Sequence, residues 1–208
     1  MKLYSILDLG YVDEKDIAIK AESICDSGIS MLQLRAKNYD TETILEIAKV
    51  LRPICLKYEV PFIINDYPEI AALVSADGVH IGQNDGNLEE ARILAGNCKI
   101  VGRSTHCPEQ ARKAHAEGAD YIGFGPLYPT ATKPGRSAIG LNEIARVHNE
   151  LPLPIFCIGG ITKQTLPEVL SAGAQNVVIV SNLLQSEDIK SYVLRIQRIE
   201  KNNSDQKS

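Results

Sequence analysis

Residues 118–135 read GADYIGFGPLYPTATKPG, and where this stretch is cut decides the fold. Gly118-Ala119-Asp120 is a small-residue stop. Tyr121 to Phe124 is a short apolar run without polar alternation, the pattern of a strand buried on both faces. Gly125-Pro126 breaks it. The loop beyond carries Thr130 and Thr132, with Lys133 beside the second. Hydroxyls and an ammonium just past a strand end suit an anionic oxygen ligand, most simply a phosphate. Glycines at 123, 125 and 135 allow close backbone approach and a sharp turn. An ordinary polar crossover loop fits this stretch equally well, so the rest of the chain has to decide.

Outward from that stretch the same punctuation recurs. SGIS at 27–30, SADG at 75–78, GADY at 118–121 and AGAQN at 172–176 each precede a short apolar run, and VPFII at 60–64 and LPIFCI at 153–158 each enter one through a proline. Apolar runs at 2–7, 29–34, 61–64, 78–81, 99–102, 121–124, 154–158 and 176–180 predict eight strands. Helical periodicity predicts eight helices, at 14–26, 40–58, 68–74, 87–95, 108–117, 141–149, 165–171 and 187–200. Asp40 or Thr41 is the expected cap of the second. Eight βα units repeating in pairs favour a closed (β/α)8 TIM barrel over an open doubly wound sheet. The expected organisation is one catalytic barrel domain over 1–200 and a disordered C-terminal tail, KNNSDQKS, over 201–208. The chain is short for this fold, which typically takes about 250 residues. Its connections must be lean, and loop 127–139 stands out as long.

Composition narrows the function. With 44% apolar residues in a chain of 208, one full-sized core is expected. The net charge of −4 and the absence of a basic tract argue against nucleic acid as a partner, so any attraction for phosphate must be local. No apolar stretch suffices to span a bilayer, and no signal-type leader opens the sequence, so no membrane partner and a cytoplasmic location are expected. The five cysteines, at 25, 55, 98, 107 and 157, have no paired spacing and read as free thiols. Cys157 is expected in strand core. Cys107 lies near the candidate site with no neighbour that would lower its pKa.

In such a barrel chemistry collects where strands run into βα loops. The second strand ends in Gln33-Leu34-Arg35-Ala36-Lys37, and alternation puts Gln33, Arg35 and Lys37 on one side, where two cations can grip a diphosphate. A solvated surface pair is the plainer alternative, but an arginine at an apolar strand end is not a usual surface position. The third strand ends in Asn65-Asp66 and the fourth in His80-Ile81-Gly82-Gln83-Asn84-Asp85. Two carboxylates from neighbouring strand ends, completed by phosphate oxygens and water, suit Mg²⁺. Alone, either aspartate is a turn or cap residue. His80, within its strand, is expected to be a hydrogen-bonded core residue.

The fifth strand leads to Ser104, a possible donor to phosphate, with Ser104 or Thr105 as the plainer cap for the helix near Pro108, and to His106, a possible acid or base. His115 and His148 fall on helices and read as surface residues. After the seventh and eighth strands come Gly159-Gly160 and Ser181-Asn182, at the position of the common phosphate pocket of these barrels. The mouth thus offers two anion sites. Arg35, Lys37, Lys133 and a metal on Asp66 and Asp85 would serve a diphosphate. Gly160, Ser181 and the threonines would serve a monophosphate. This suits a transferase joining two phosphorylated small molecules.

QLRAK at 33–37, IND at 64–66, ADGVHIGQND at 76–85, GRSTH at 102–106, GADYIGFGPLYPTATK at 118–133, IGGI at 158–161 and VS at 180–181 together resemble the thiamine phosphate synthase family, in that family's order, over roughly Lys2 to Leu184. The resemblance implies a (β/α)8 barrel that joins 4-amino-2-methyl-5-(diphosphooxymethyl)pyrimidine to 4-methyl-5-(2-phosphooxyethyl)thiazole, yielding thiamine phosphate and diphosphate. It implies that Gln33, Leu34, Arg35, Ala36, Lys37, Asn65, Ser104 and Lys133 hold the pyrimidine diphosphate and that Asp66 and Asp85 hold Mg²⁺. Thr130, Ala131, Thr132, Gly160, Val180 and Ser181 would hold the thiazole phosphate. Lys133, Ser104, Arg35 and Lys37 would be the catalytic set for a dissociative substitution. Two departures stand out: the first strand reads YSILDLG in place of an ITD-like end, and Cys157 replaces a common Ala or Val.

Two rivals remain at this level. One is a thiazole tautomerase on the same barrel, with His106 as proton shuttle and no need of the metal pair. The other is a non-catalytic sensor of phosphate ligands. The retained Asp66, Asp85, Arg35 and Lys37 argue against the first, and the metal pair with Lys133 against the second. The loop bearing Lys133 is expected to be a lid hinged at Gly125 and Gly135.

Overall fold

A computed structural model describes residues 1–130, 135 and 137–205, the side chain at 204 excepted. Eight strands, β1 (Lys2–Asp8), β2 (Met31–Arg35), β3 (Phe62–Asn65), β4 (Gly78–Ile81), β5 (Ile100–Thr105), β6 (Tyr121–Phe124), β7 (Ile155–Cys157) and β8 (Asn176–Ile179), close into a barrel in sequence order. Every neighbouring pair is parallel, and the seam pairs Lys2 with Asn176 and Ser5 with Ile179. Around it lie α1 (Ile17–Asp26), α2 (Thr41–Lys57), α3 (Pro68–Leu73), α4 (Leu88–Leu94), α5 (Pro108–Ala116), α6 (Ile144–Glu150), α7 (Leu166–Ser171), α8 (Ser181–Leu184) and α9 (Ile189–Asp205). This is the expected (β/α)8 barrel.

The recurring stops have one physical role. Gly28, Gly118 and Gly173 take positive φ just past α1, α5 and α7, and Ser75 does the same past α3. A left-handed residue there turns the chain back toward the next strand. Asp40 caps α2, its carboxylate accepting from the Thr43 backbone N–H at 2.8 Å.

Two apolar layers result. Outward-facing strand residues such as Leu7, Leu32, Leu34, Ile64, Val79, Val101 and Ile179 pack against the helices. Inside, Tyr4, Ile6, Met31, Ile63, Tyr121, Phe156 and Val178 fill the barrel axis. The rings of Tyr4, Tyr121 and Phe156 meet edge-on, with centroids 5.3–5.8 Å apart. Gly102 makes this packing possible, since a Cβ there would stand 2.1 Å from Cζ of Tyr121.

Several expectations need correction. β5 runs on to Thr105, so Ser104 and Thr105 are strand residues; their hydroxyls bond to His80 and to the Gly123 carbonyl and cap no helix. α6 starts at Ile144, three residues later than its pattern suggested. The four-residue α8 after β8 was not anticipated, being too short to carry periodicity. α9 continues to Asp205, past the expected boundary at 200, while residues 206–208 lie outside those described. His148 is half-buried, not a surface residue, and its ring Nε2 is enclosed without a hydrogen-bond partner. His115 is exposed, as expected. All five cysteines are free thiols, and Cys157 is buried in β7, its thiol pushed up to about 12 by burial. Among the described residues no helix is long and apolar enough to cross a membrane.

Candidate active site

The C-terminal ends of the strands open into one concave mouth. Gln33, Arg35, Asn65, Ser104 and His106 line one side, and Thr130, Gly159, Gly160, Val180 and Ser181 the other. The aromatic layer of Tyr4 and Tyr121 forms its floor. A polar annex at the rim is lined by Arg35, Lys37, Asn65, Asp66, Gly82, Asp85 and Ser104.

The annex concentrates charge. Lys37 and Asp66 form an ion pair, and Asn65 Nδ2 donates to the same Asp66 oxygen at 2.5 Å. Burial raises the Asp66 carboxyl above its ordinary range; Lys37 pulls it back down and the nearby Asp85 charge pushes it up again. Asp66 sits at φ 68°, a left-handed conformation that Asp and Asn tolerate better than most residues. Its carboxylate lines the same annex as that of Asp85, close enough for the Asp85 charge to raise it. Asp85 also accepts from the Gly82 backbone N–H at 2.9 Å, and a Cβ on Gly82 would lie 2.5 Å from that Asp85 oxygen. Two carboxylates held this close repel, and a divalent cation relieves the repulsion. Among the described residues no group of three or more His, Cys, Asp and Glu could hold a metal. A pair of carboxylates is nevertheless the usual protein share of a Mg²⁺ site completed by phosphate oxygens and water. The residues therefore fit the ion.

Arg35 is placed by a residue that the sequence reading passed over. Asp8, 3% exposed at the end of β1, stands in register with Arg35 and accepts from its Nη1 at 2.6 Å. Its other oxygen accepts from the Gly10 N–H at 3.0 Å. The Arg35 Nε is buried without a protein acceptor. Arg103, also passed over, reaches from β5 to the Gly86 carbonyl at 2.7 Å and the Gln83 carbonyl at 3.3 Å. Gln83 in turn donates to the Ser104 carbonyl at 2.6 Å. Together they hold the loop that carries Asp85. Register gave a usable signal for Asp8; Arg103 offered none, because its partners are backbone atoms of another loop.

On the opposite side two loops lie backbone to backbone. Leu127 N–H donates to the Ile158 carbonyl at 2.8 Å and Tyr128 N–H to the Gly159 carbonyl at 3.1 Å. Gly160 has φ 66°, and a Cβ on it would come 2.6 Å from the Cβ of Tyr128. Glycine is thus required for loop–loop contact, a reason distinct from the approach of a ligand. The Tyr128 hydroxyl donates to Glu168 on α7. Val180 precedes α8 and Ser181 begins it, and the first turn of a helix leaves leading N–H groups without intrahelical acceptors.

The feet of the long loop are pinned together. Ile139 N–H donates to the Pro126 carbonyl at 2.8 Å and Gly140 N–H to the Leu127 carbonyl at 3.2 Å. Gly125 is no hinge: its N–H bonds to the Thr105 carbonyl at 3.1 Å, its carbonyl meets His106 Nδ1 at 2.5 Å, and a Cβ would lie 2.1 Å from the Ile158 oxygen. Thr130 lines the mouth. Ala131, Thr132 and Lys133 lie outside the described residues, and with them the centre of the expected lid.

Of the remaining expected residues, Gln33, Arg35, Asn65 and Ser104 converge on the mouth, and Lys37, Asp66 and Asp85 on its annex. Leu34 and Ala36 face the helix layer, so their side chains are turned away from it. His80 is a bonded interior residue, as expected, with Nδ1 2.9 Å from the Tyr121 hydroxyl and Nε2 2.9 Å from Ser104 Oγ.

The chain matches the family described as Thiamine monophosphate synthase over residues 3–183. It is 39% identical over 202 residues to the thiamine-phosphate synthase of Persephonella marina, covering 97% of each chain. It is 44% identical over 171 residues to that of Thermus thermophilus, covering 81% of this chain and 82% of the relative. Among solved structures, thiamine phosphate pyrophosphorylase from Pyrococcus furiosus superposes with a TM-score of 0.86 at 31% identity, covering 97% of this chain and 96% of that one.

Proposed function

The chain belongs to the thiamine monophosphate synthase family, and from that premise we propose the finer terms of its reaction and the residues that carry it. As a thiamine-phosphate synthase it is a transferase acting on small molecules. The proposed reactants are 4-amino-2-methyl-5-(diphosphooxymethyl)pyrimidine and 4-methyl-5-(2-phosphooxyethyl)thiazole, or the thiazole's carboxylate form. The C–O bond to diphosphate breaks, and its electron pair leaves with the diphosphate. The thiazole nitrogen then gives its lone pair to the exposed methylene carbon. No protein nucleophile is needed, so the protein's work is charge stabilisation and placement.

In this reading Arg35 and Lys37 meet the diphosphate, with Lys133 closing on it from the loop. Gln33, Asn65 and Ser104 orient the pyrimidine diphosphate, joined by the backbone of Leu34 and Ala36. Asp66 and Asp85 would hold Mg²⁺, which when bound supplies positive charge against the departing diphosphate. Thr130, Ala131, Thr132, Gly160, Val180 and Ser181 take the thiazole phosphate.

One observation carries the reading. Two neighbouring carboxylates, flanked by Lys37 and Arg35, share a mouth with a glycine and helix-start side suited to a second phosphate. Mixing both reactants with Mg²⁺ should release diphosphate in step with thiamine phosphate. Failure to release diphosphate, with isomerisation of a thiazole carboxylate phosphate instead, would overturn the reading in favour of acid–base chemistry at His106. Cytoplasmic residence accords with biosynthetic chemistry on phosphorylated intermediates.

A further inference from the structure

Five side chains from five strands form one unbroken line of hydrogen bonds across the barrel. Gln33 Nε2 donates to the Tyr4 hydroxyl at 2.5 Å. The Tyr4 and Tyr121 hydroxyls are 3.0 Å apart. The Tyr121 hydroxyl is 2.9 Å from His80 Nδ1, and His80 Nε2 is 2.9 Å from Ser104 Oγ. Gln33, Tyr4, Tyr121, His80 and Ser104 are all at least 92% buried, the most exposed at 8%. All five line the mouth, where they meet residues of the proposed diphosphate side such as Arg35 and Asn65.

Such a line has a direction. A phenol carries one proton, so each tyrosine can donate once, and a neutral imidazole donates from one nitrogen and accepts at the other. Both phenols remain protonated, since burial raises each above the ordinary tyrosine range. Gln33 gives a proton to the Tyr4 oxygen. Tyr4 then donates to Tyr121, and Tyr121 to His80 Nδ1. That leaves the imidazole proton on Nε2, which donates to Ser104 Oγ. The Ser104 proton is released from the protein network and points into the mouth. With the Gln33 amide oriented this way, the opposite sense would turn the Tyr4 proton toward the amide nitrogen, and a buried donor would lack an acceptor, a loss of about 1–3 kcal/mol.

We infer that Gln33 sets the polarity of this line, that Tyr4, Tyr121 and His80 transmit it as positioning residues, and that Ser104 is thereby fixed as a hydrogen-bond donor to the substrate. The inference deepens the proposed function: it assigns the atom facing Ser104 as an acceptor, a phosphate oxygen or a ring nitrogen, and excludes a donor there. In this line the imidazole proton sits on Nε2, and His80 acts through Ser104 as a positioning residue. Gly102 belongs to the device, because only its missing Cβ leaves room for the Tyr121 phenol.

The test is the tautomer of His80 in the substrate-free protein, read by nitrogen NMR on a histidine-labelled sample, with His80 assigned through its backbone resonances. This readout is independent of the reaction, so the inference and the proposed function can fail separately. The wild type should show Nε2–H in about tenfold excess, the bias that one ordinary hydrogen bond supplies. Free histidine also favours this form, so the deciding arm is Gln33→Glu at pH 8. An ionised carboxylate accepts from Tyr4, reverses the line, and should move the proton to Nδ1 with a reversed ratio. Tyr121→Phe cuts the line and should bring the two forms within about threefold of each other, a fraction of one hydrogen bond. Nδ1–H in the wild type, or a His80 ratio that does not respond to Gln33→Glu in a folded sample, would overturn the inference. Should Gln33→Glu not fold, an unchanged ratio in Tyr121→Phe would overturn it equally.

Discussion

Asp66 carries conflicting demands at a single residue. Its carboxyl is raised by burial and by Asp85, so the ionised form opposes folding. For an acid with a raised folded pKa, the stability contribution is complete below the unfolded value, about 3.9, and is lost as pH rises through the folded value. At neutral pH the metal-free protein therefore bears this cost. Asp66→Asn removes the charge, tolerates the left-handed backbone, and frees the half-exposed Lys37, whose ion pair is worth little. It should leave the metal-free Tm unchanged or higher, yet lower turnover about 100-fold at limiting Mg²⁺, the scale of about 3 kcal/mol of lost charge stabilisation. Near-normal turnover at limiting Mg²⁺ would remove Asp66 from the metal site. Lys133→Ala should slow the single-turnover rate with both reactants saturating by about 30- to 1,000-fold, or about 2–4 kcal/mol. A change under about threefold would leave that lysine a bystander. At this scale the sequence was informative where polar residues sit in contiguous motifs: Arg35, Lys37, Asp66, Asp85 and Ser104, read from strand ends, line the mouth and its annex. Asp8 and Arg103 were not picked out, because each acts through a partner distant in sequence.

Between elements, the contact of the β6 and β7 loops depends on the missing side chain of Gly160. Gly160→Ala would press a methyl against Tyr128 and strain a positive φ, costing about 1–3 kcal/mol through overpacking alone. Thermal unfolding should register the loss, and calorimetry should show weakened thiazole phosphate binding with diphosphate-reactant binding largely retained. The reverse calorimetric pattern would exchange the two reactants' places. α6 supplies a pH test. Burial lowers the pKa of His148, so the unfolded chain takes up its proton first. Its contribution to stability is full above the unfolded value of about 6.5 and declines as pH falls toward the lowered folded value. Between pH 7.5 and 5.5 the wild type should lose more Tm than His148→Leu; parallel losses would mean that the ring titrates as an exposed one. Neither feature was legible beforehand. The Gly-Gly pair suggested a ligand, and the packing neighbour of His148 depends on where α6 begins, which its periodicity misplaced by three residues.

At the level of the whole molecule, pairwise repetition of stops and apolar runs was enough to specify eight strands and their closure. The sequence could not show that a line of polar groups would cross the apolar interior, because Tyr4, Gln33, His80 and Tyr121 each look like isolated interruptions until the barrel closes around them. α9 is integral to that closure: Ile189, Tyr192, Val193 and Ile196 are buried on it. Truncation before Ile189 would forfeit about 1.5–3 kcal/mol for each of these side chains, together comparable to the whole stability of a domain. Such a protein should show no cooperative unfolding by calorimetry, whereas truncation after Lys201 should keep Tm within a few degrees. A cooperative transition in the shorter form would make α9 peripheral. The three interlocked rings of Tyr4, Tyr121 and Phe156 have a further consequence. Among the described residues they stopper the mouth from below, so the vessel is a cul-de-sac with its doorway above. On the proposed reaction, traffic through that doorway is one-way at a time: the reactant bedded nearer the floor must arrive before the other, and nothing bound behind a newcomer can leave until the newcomer has gone.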